Sequence, residues 1–285
     1  MSEANPTDSP QLTVGIVGLG AMGLPIAGHL ARAGVPVVVA DLDEAVVRAC
    51  VAQGMSAADG PADLAARSDV VLVVVPSDDD VRAVCEGDAG LLAGCRPGTV
   101  VLLCSSVRPD TCEAVTAAAP AGVSVLDAAL TGGVRGAENG QINLLVGGDP
   151  AALERVAPAL AAWTSSVHHL GPLGAGQVGK TVNNLIHWAQ IAAIVESLEL
   201  GRRYGLDVPT LRRALLDGPT ASRTLAELEQ MRFTWHAKDL ANAEVMAEAI
   251  GLALPVAATS RAAMTVITVP QVAELLTASP DTAVA

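Results

Sequence analysis

Gly18-Leu19-Gly20-Ala21-Met22-Gly23 reads G-x-G-x-x-G, a glycine spacing that suits close approach of a backbone to a pyrophosphate. Gly18 permits a tight turn, Gly20 removes a side chain where phosphates must approach, and Gly23 lets a strand and a helix pack closely. The helix that follows offers unsatisfied N–H groups and partial positive charge at its start. Asp41 comes 18 residues after Gly23, where its carboxylate can accept hydrogen bonds from ribose hydroxyls and repel a 2′-phosphate. Leu42 and Asp43 supply no arginine for such a phosphate, so the expected cofactor is NAD, with NADP left open. The competing reading makes Asp41 a simple helix cap.

Lys180 and Asn184 are four residues apart in a stretch that reads as helix, so both side chains project from one face. A lysine desolvated in a cleft can have its pKa lowered toward neutrality and can then exchange a proton with a hydroxyl or carbonyl oxygen. Most lysines are merely solvated, but this helix carries no other acid or base before Glu196 except His187. The chain has only two lysines, Lys180 and Lys238, among 17 basic residues. Arginine cannot lose its proton in a protein, so only lysine could serve at 180. Thr131-Gly132-Gly133 offers a hydroxyl and open backbone N–H groups to a carboxylate, or is an ordinary turn. Arg135 either reaches an anionic substrate or points to solvent, and Lys238 beside Asp239 could equally be a surface pair. His168-His169 has no partner at metal-ligand spacing, so no metal is expected, and Asp78-Asp79-Asp80 reads as the capped start of a helix.

The elements that must hold these residues alternate. Leu12 to Val17, Val35 to Ala40, Val70 to Val75 and Thr99 to Cys104 are continuous apolar runs, the pattern of strands buried on both faces of a parallel sheet. Helical stretches lie between them, from Met22 to Ala33 and from about Glu44 to Gln53, and the alternation lasts to about Leu170. Beyond a glycine-rich joint, Gly171 to Gln177, a helix is expected from Val178 to Tyr204, long enough to connect two domains. Shorter helices are expected over Asp207 to Asp217, Ala221 to Arg232, Lys238 to Ile250, Pro255 to Val269 and Val272 to Leu276. The fold class is therefore α/β, an N-terminal Rossmann doubly wound sheet followed by an all-α C-terminal domain joined by a long interdomain helix. The boundaries expected are a disordered start over 1–10, a dinucleotide-binding domain over 11–173 and a substrate and dimerisation domain over 174–285.

Composition narrows the partners. The 285 residues carry 17 Lys+Arg against 30 Asp+Glu, a formal charge of −13, and no basic run long enough to displace counterions from nucleic acid. The uncharged stretch from Ser9 to Ala31 is broken by five glycines and Pro25, so neither a membrane span nor a signal peptide is expected. The five cysteines show no CxxC spacing and read as buried hydrophobes in a reducing cytoplasm. The long helix has apolar residues around much of its circumference, including Ile186, Trp188, Ile191, Ile194, Val195 and Leu198, so a homodimer or higher homo-oligomer is expected.

Four segments together resemble the β-hydroxyacid dehydrogenase family: Ile16 to Gly23, Asp127-Ala128-Ala129-Leu130-Thr131-Gly132-Gly133, Gly174-Ala175-Gly176-Gln177-Val178-Gly179-Lys180-Thr181-Val182-Asn183-Asn184, and Lys238-Asp239-Leu240. The resemblance implies NAD(P)-dependent interconversion of a small hydroxy acid and its semialdehyde or keto form, and a C-terminal domain like that of 6-phosphogluconate dehydrogenase. It implies that Lys180 is the general acid/base and that Asn184, Thr131, Gly132 and Gly133 hold the substrate. It also implies that Val75, Pro76, Ser106 and Lys238 join the glycine loop and Asp41 around the cofactor. Ala129 stands where the family has proline and Thr131 where it has serine, and the twenty residues between Asp217 and Lys238 are fewer than usual. Two other functions compete: an imine reductase of the same architecture, which Lys180 disfavours, and a non-catalytic NAD-binding scaffold, which the pairing of Lys180 with Asn184 disfavours.

Overall fold

A computed structural model describes residues 11–279; the disordered start expected for residues 1–10 lies outside the described residues. The chain divides into two compact units, Met1–Lys180 and Thr181–Ala285. In the first, chain order runs β1 (Val14–Val17), α1 (Gly23–Arg32), β2 (Val37–Ala40), α2 (Glu44–Val51), β3 (Ser56–Ala57), α3 (Pro61–Ala66), β4 (Val70–Val73), α4 (Asp78–Cys85), α5 (Leu91–Gly94) and β5 (Val100–Leu103). It continues with α6 (Pro109–Ala118), β6 (Ser124–Thr131), α7 (Gly133–Glu138), β7 (Ile142–Gly147), α8 (Pro150–Leu160) and β8 (Thr164–Gly171), and enters α9 (Ala175–Arg203).

The eight strands form one sheet in the order β3-β2-β1-β4-β5-β6-β7-β8. Strands β1 to β6 pair in parallel, β7 runs antiparallel to β6, and β8 is parallel to β7. The reversal follows from chain length, because residues 132–141 with the short α7 are too few for the crossover that a parallel neighbour needs. Every residue of β1, β2, β4 and β5 is buried. Alternate side chains feed two separate cores: Val14, Ile16, Val39, Leu72 and Leu102 pack on one face with Ile26 and Leu30 of α1, while Val17, Val38, Val71, Val73 and Val101 pack on the other with Leu64, Val81 and Val115. This double burial is why the strands read as unbroken apolar runs.

Four of the five cysteines are buried, all five are free thiols, and burial pushes those of Cys85 and Cys104 up to about 12. No helix among the described residues is long and apolar enough to cross a membrane.

The second unit is all-helical: the remainder of α9, then α10 (Val208–Leu216), α11 (Arg223–Ala226), a 3-10 turn over Leu228–Gln230, α12 (His236–Ala249), α13 (Pro255–Met264) and α14 (Val269–Thr277). Its core gathers Trp188, Ile191, Leu198, Val208, Leu228, Phe233, Leu240, Met264 and Leu276. The single helix expected over Ala221 to Arg232 is broken instead. The Arg212 guanidinium donates to the carbonyls of Leu225 at 2.8 Å and Ala226 at 2.7 Å, which continued helical turns would have used.

Candidate active site

Parallel register sets four strand ends in a row, beside the middle of β6. Val17 pairs with Ala40 on one side and Val73 on the other, Val73 pairs with Leu103, and Leu103 pairs with Asp127. The residues just beyond them, Gly18, Asp41, Val74 to Pro76 and Cys104 to Ser106, therefore leave the sheet along one edge. Strand order reverses direction between β1 and β4, and in doubly wound sheets ligands bind in the crevice outside the strand ends at such a point.

The three loop glycines have different reasons to be glycine. Gly18 has φ +94°, and a Cβ there would overlap the Val74 carbonyl; a Cβ on Gly23 would overlap the Gly18 carbonyl. Both are required by the protein's own packing. Gly20 is exposed and a Cβ there would meet nothing within 4 Å, so nothing in the chain itself demands glycine. Close approach of a cofactor phosphate does, and the loop fits a dinucleotide on that ground. Leu19 is buried and its N–H donates to Asp41 Oδ2 at 2.5 Å, while the Asp43 N–H donates to Asp41 Oδ1 at 2.8 Å. Asp41 is thus drawn against the loop, and Asp43, which accepts from the Ala45 N–H, is the residue that caps α2. Met22 at the start of α1 makes no capping side-chain bond.

Val75 donates its N–H to Ser105 Oγ at 2.8 Å, tying the exits of β4 and β5 together, and Ser106 follows half-buried. Ser77, not the aspartate run, caps α4; Asp78 to Asp80 fill its first turn, and Asp78 Oδ1 accepts from the Arg108 N–H and the Thr111 hydroxyl.

At the end of β6, Gly132 (φ +108°) and Gly133 (φ +64°) are both exposed, in left-handed backbone that other residues resist. Thr131 differs from the expectation for its hydroxyl. The hydroxyl donates to the Asn143 carbonyl at 2.8 Å and accepts from Asn143 Nδ2 at 2.9 Å, so its one proton is spent inside the sheet. Arg135 is exposed on α7, and His169 on edge strand β8 is hydrogen-bonded through Nε2 to the Gly148 carbonyl.

Two residues not singled out from the sequence, Asp127 and Gln177, hold the start of α9. Asp127 is fully buried; its Oδ1 accepts from the Gly174 N–H at 2.6 Å and its Oδ2 from the Gln177 N–H at 2.8 Å. Burial pushes its pKa up, and those N–H groups oppose the shift by favouring the carboxylate. A charged residue inside the apolar run Val125-Leu126-Asp127-Ala128 was the available signal, since buried charges need partners. Lys180 lies one turn beyond Gln177 and is half-buried. Gly179 just before it is held against Leu170 and Leu145, where a Cβ would intrude.

Asn184 and Lys238 belong to the second unit. Asn184 is buried, and its Oδ1 accepts from Asn183 Nδ2 at 3.2 Å. Lys238 is half-buried in the first turn of α12, and the neighbouring Asp239 accepts from Trp188 Nε1 at 3.1 Å.

A doubly wound sheet with a glycine loop at its switch point and an acid closing its second strand defines a dinucleotide-binding Rossmann unit. Residues 13–171 match the family described as the NAD binding domain of 6-phosphogluconate dehydrogenase, and residues 174–274 that described as NAD-binding of NADP-dependent 3-hydroxyisobutyrate dehydrogenase. The chain is 38% identical over 216 residues to 2-(hydroxymethyl)glutarate dehydrogenase of Eubacterium barkeri, covering 75% of this chain and 71% of the relative. It is 39% identical over 199 residues to NAD-dependent L-serine dehydrogenase of Pseudomonas aeruginosa, covering 70% and 67%. A solved structure of 3-hydroxyisobutyrate dehydrogenase of Mycobacterium tuberculosis with L-serine superimposes with a TM-score of 0.82 at 27% identity, covering 90% of this chain and 93% of that one. The chain belongs to the β-hydroxyacid dehydrogenase family and is an NAD(P)-dependent oxidoreductase of the hydroxy acid dehydrogenase class.

Proposed function

We propose that this enzyme interconverts a small β-hydroxy acid and its semialdehyde or keto form, with NAD preferred and Lys180 as general acid/base. One observation carries the reading: Asp127, midway along β6 and paired with Leu103 at the end of β5, receives the first turn of α9, which supports placing Lys180 near the sheet edge where the glycine loop, Asp41 and Ser106 emerge. The substrates named for the relatives, 2-(hydroxymethyl)glutarate, L-serine and 3-hydroxyisobutyrate, share a CH2OH group on the carbon that bears a carboxylate. That unit is the substrate class proposed here.

Bound NAD supplies the hydride acceptor. Gly18 to Gly23 receive its phosphates through backbone N–H groups, and Asp41 accepts from its ribose hydroxyls and disfavours a 2′-phosphate, no arginine lying in Leu42 to Glu44. Val75, Pro76, Ser106 and Lys238 complete the cofactor contacts. The backbone N–H groups of the exposed residues Gly132 and Gly133 take the substrate carboxylate, while Thr131, bonded to Asn143, steadies their loop. In oxidation, the neutral Lys180 Nζ accepts the hydroxyl proton as the hydride leaves the same carbinol carbon; in reduction the ammonium returns that proton to the carbonyl oxygen. Asn184, one turn further along α9, orients the oxygen concerned.

We assign residues 11–173 to cofactor binding and 174–285 to substrate binding and dimerisation. Exposed Val182 and Ile186 on α9, with Ile250, Leu252 and Val256, support a homodimer or larger assembly, to be checked by light scattering. Free thiols support a cytoplasmic location.

The decisive experiment is Lys180→Ala assayed with short β-hydroxy acids and NAD. Turnover should fall by about 10²- to 10⁴-fold, with NAD affinity kept within about threefold. Near-normal turnover would remove Lys180 from the mechanism.

A further inference from the structure

The amide groups of a helix's first turn must be satisfied, and three helices of the sheet unit do this locally: Asp43 caps α2, Ser77 caps α4 and Asp149 caps α8. Helix α9 does not. Its first turn is received by the carboxylate of Asp127, 47 residues earlier in the chain and fully buried. A polar residue at 174 could have capped the helix without burying a charge, which is expensive. Glycine stands there instead. Room for the carboxylate is made by two more glycines, because a Cβ on Gly147 of β7 or on Gly176 of α9 would collide with its oxygens.

A second tie is made from the other side. Gln177, 1% exposed, donates from Nε2 to the Ser105 carbonyl at 2.8 Å and accepts on Oε1 from the Val107 N–H at 3.2 Å. Its side chain therefore bridges the two residues that flank Ser106. Its own backbone N–H is one of those held by Asp127. The middle of β6, the first turn of α9 and the exit of β5 are locked into one hydrogen-bonded piece, with Lys180 a turn beyond it.

We propose that Asp127 and Gln177 are positioning residues of the reaction: Asp127 fixes the turn that carries Lys180, and Gln177 fixes that turn against the Ser105–Val107 segment. This rests on the reading of Lys180 as acid/base. Neither side chain touches substrate; each acts by holding the proton-transfer group and the Ser106 segment in one register. Transfer chemistry tolerates little displacement, since a misplacement of about 1 Å can cost about 10²-fold in rate.

The test is a double-mutant cycle on the full-length enzyme, measuring kcat, NAD affinity and melting temperature for Asp127→Asn with Lys180 present and in the Lys180→Ala background. Asparagine keeps the shape but sets an NH2 group against one of the two backbone donors. With Lys180 present, kcat should fall by about 10- to 100-fold while NAD affinity changes less than about twofold. In the Lys180→Ala background the same substitution should lower residual turnover by less than about threefold, because the group it positions is gone. The solvent isotope effect on kcat should rise in Asp127→Asn, as proton transfer becomes the slower step. An equal fold loss in both backgrounds, or no loss with Lys180 present, overturns the proposal. Lys180→Ala that keeps wild-type turnover overturns the acid/base reading instead, and the single variant reveals it. Should Asp127→Asn not fold, Gln177→Met carries the same cycle, with about a tenfold loss expected beside Lys180 and less than about threefold without it.

Discussion

The two units place chemically active residues by different means. In the sheet unit, Gly18, Asp41, Val75 and Ser106 follow four strand ends and Asp127 lies within β6 beside them, all aligned by ladders of backbone hydrogen bonds, so their relative positions follow from register. In the helical unit, Lys238 and its neighbours depend on an apolar cluster and a few side-chain ties such as Trp188 to Asp239. A one-residue slip in the sheet would send every buried strand side chain to the wrong face, which makes register close to all-or-none. Helix packing has no such discrete penalty and is set by volume, so it yields gradually.

That contrast can be broken by damaging one unit and watching the other. Leu198→Ala, in the helical core, should cost about 2–5 kcal/mol by denaturant unfolding while NAD binding by fluorescence titration is preserved. Loss of NAD binding in step with stability would show that the two units do not keep separate accounts. Within the sheet unit, Gly20→Val should weaken NAD binding by about 10- to 100-fold and leave stability within about 0.5 kcal/mol, since a Cβ there meets only open space. Gly23→Ala should instead lower the melting temperature, because its Cβ meets the Gly18 carbonyl. Asp41→Asn should weaken NAD binding by about tenfold and narrow the preference over NADP, measured as the ratio of kcat/KM for the two.

The smallest effect concerns pH. Glu199 on α9 is hydrogen-bonded to Arg202 and Arg203, which hold its carboxyl at about 2 against an ordinary 4.5. A lowered folded-state pKa gives stability that is complete above 4.5 and is lost as pH falls toward 2. The difference in melting temperature between wild type and Glu199→Gln should therefore be constant above pH 4.5 and shrink below it. A pH-independent difference would show that the arginine contacts contribute nothing through ionisation.

Much of the sheet unit was legible in the chain. The Val70 to Val75 run announced β4 because a strand buried on both faces has no polar side to show, and the glycine spacing announced the loop after β1. The antiparallel turn into β7 was not visible, since strand direction depends on how much chain α7 and its flanks provide. The break between α11 and the 3-10 turn was missed because the interruption comes from Arg212, outside the segment. Asp127 and Gln177 stood in plain view inside recognised motifs. Their partners are 47 and 70 residues away, and no local pattern reveals such a pairing.

The amino-acid order by itself determined the alternation of elements, the cofactor loop, the presence of an acid after β2 and a lysine at 180, because periodicity, glycine placement and side-chain acidity are local properties. Only the tertiary structure decided that Thr131 spends its proton on Asn143, that Asp43 and not Asp41 caps α2, and that a buried carboxylate receives the start of the lysine helix. Each of those outcomes depends on which donor the fold brings within reach of which acceptor. In a packed interior that choice is made by register and by the space that absent side chains leave, at Gly147 and Gly176 above all.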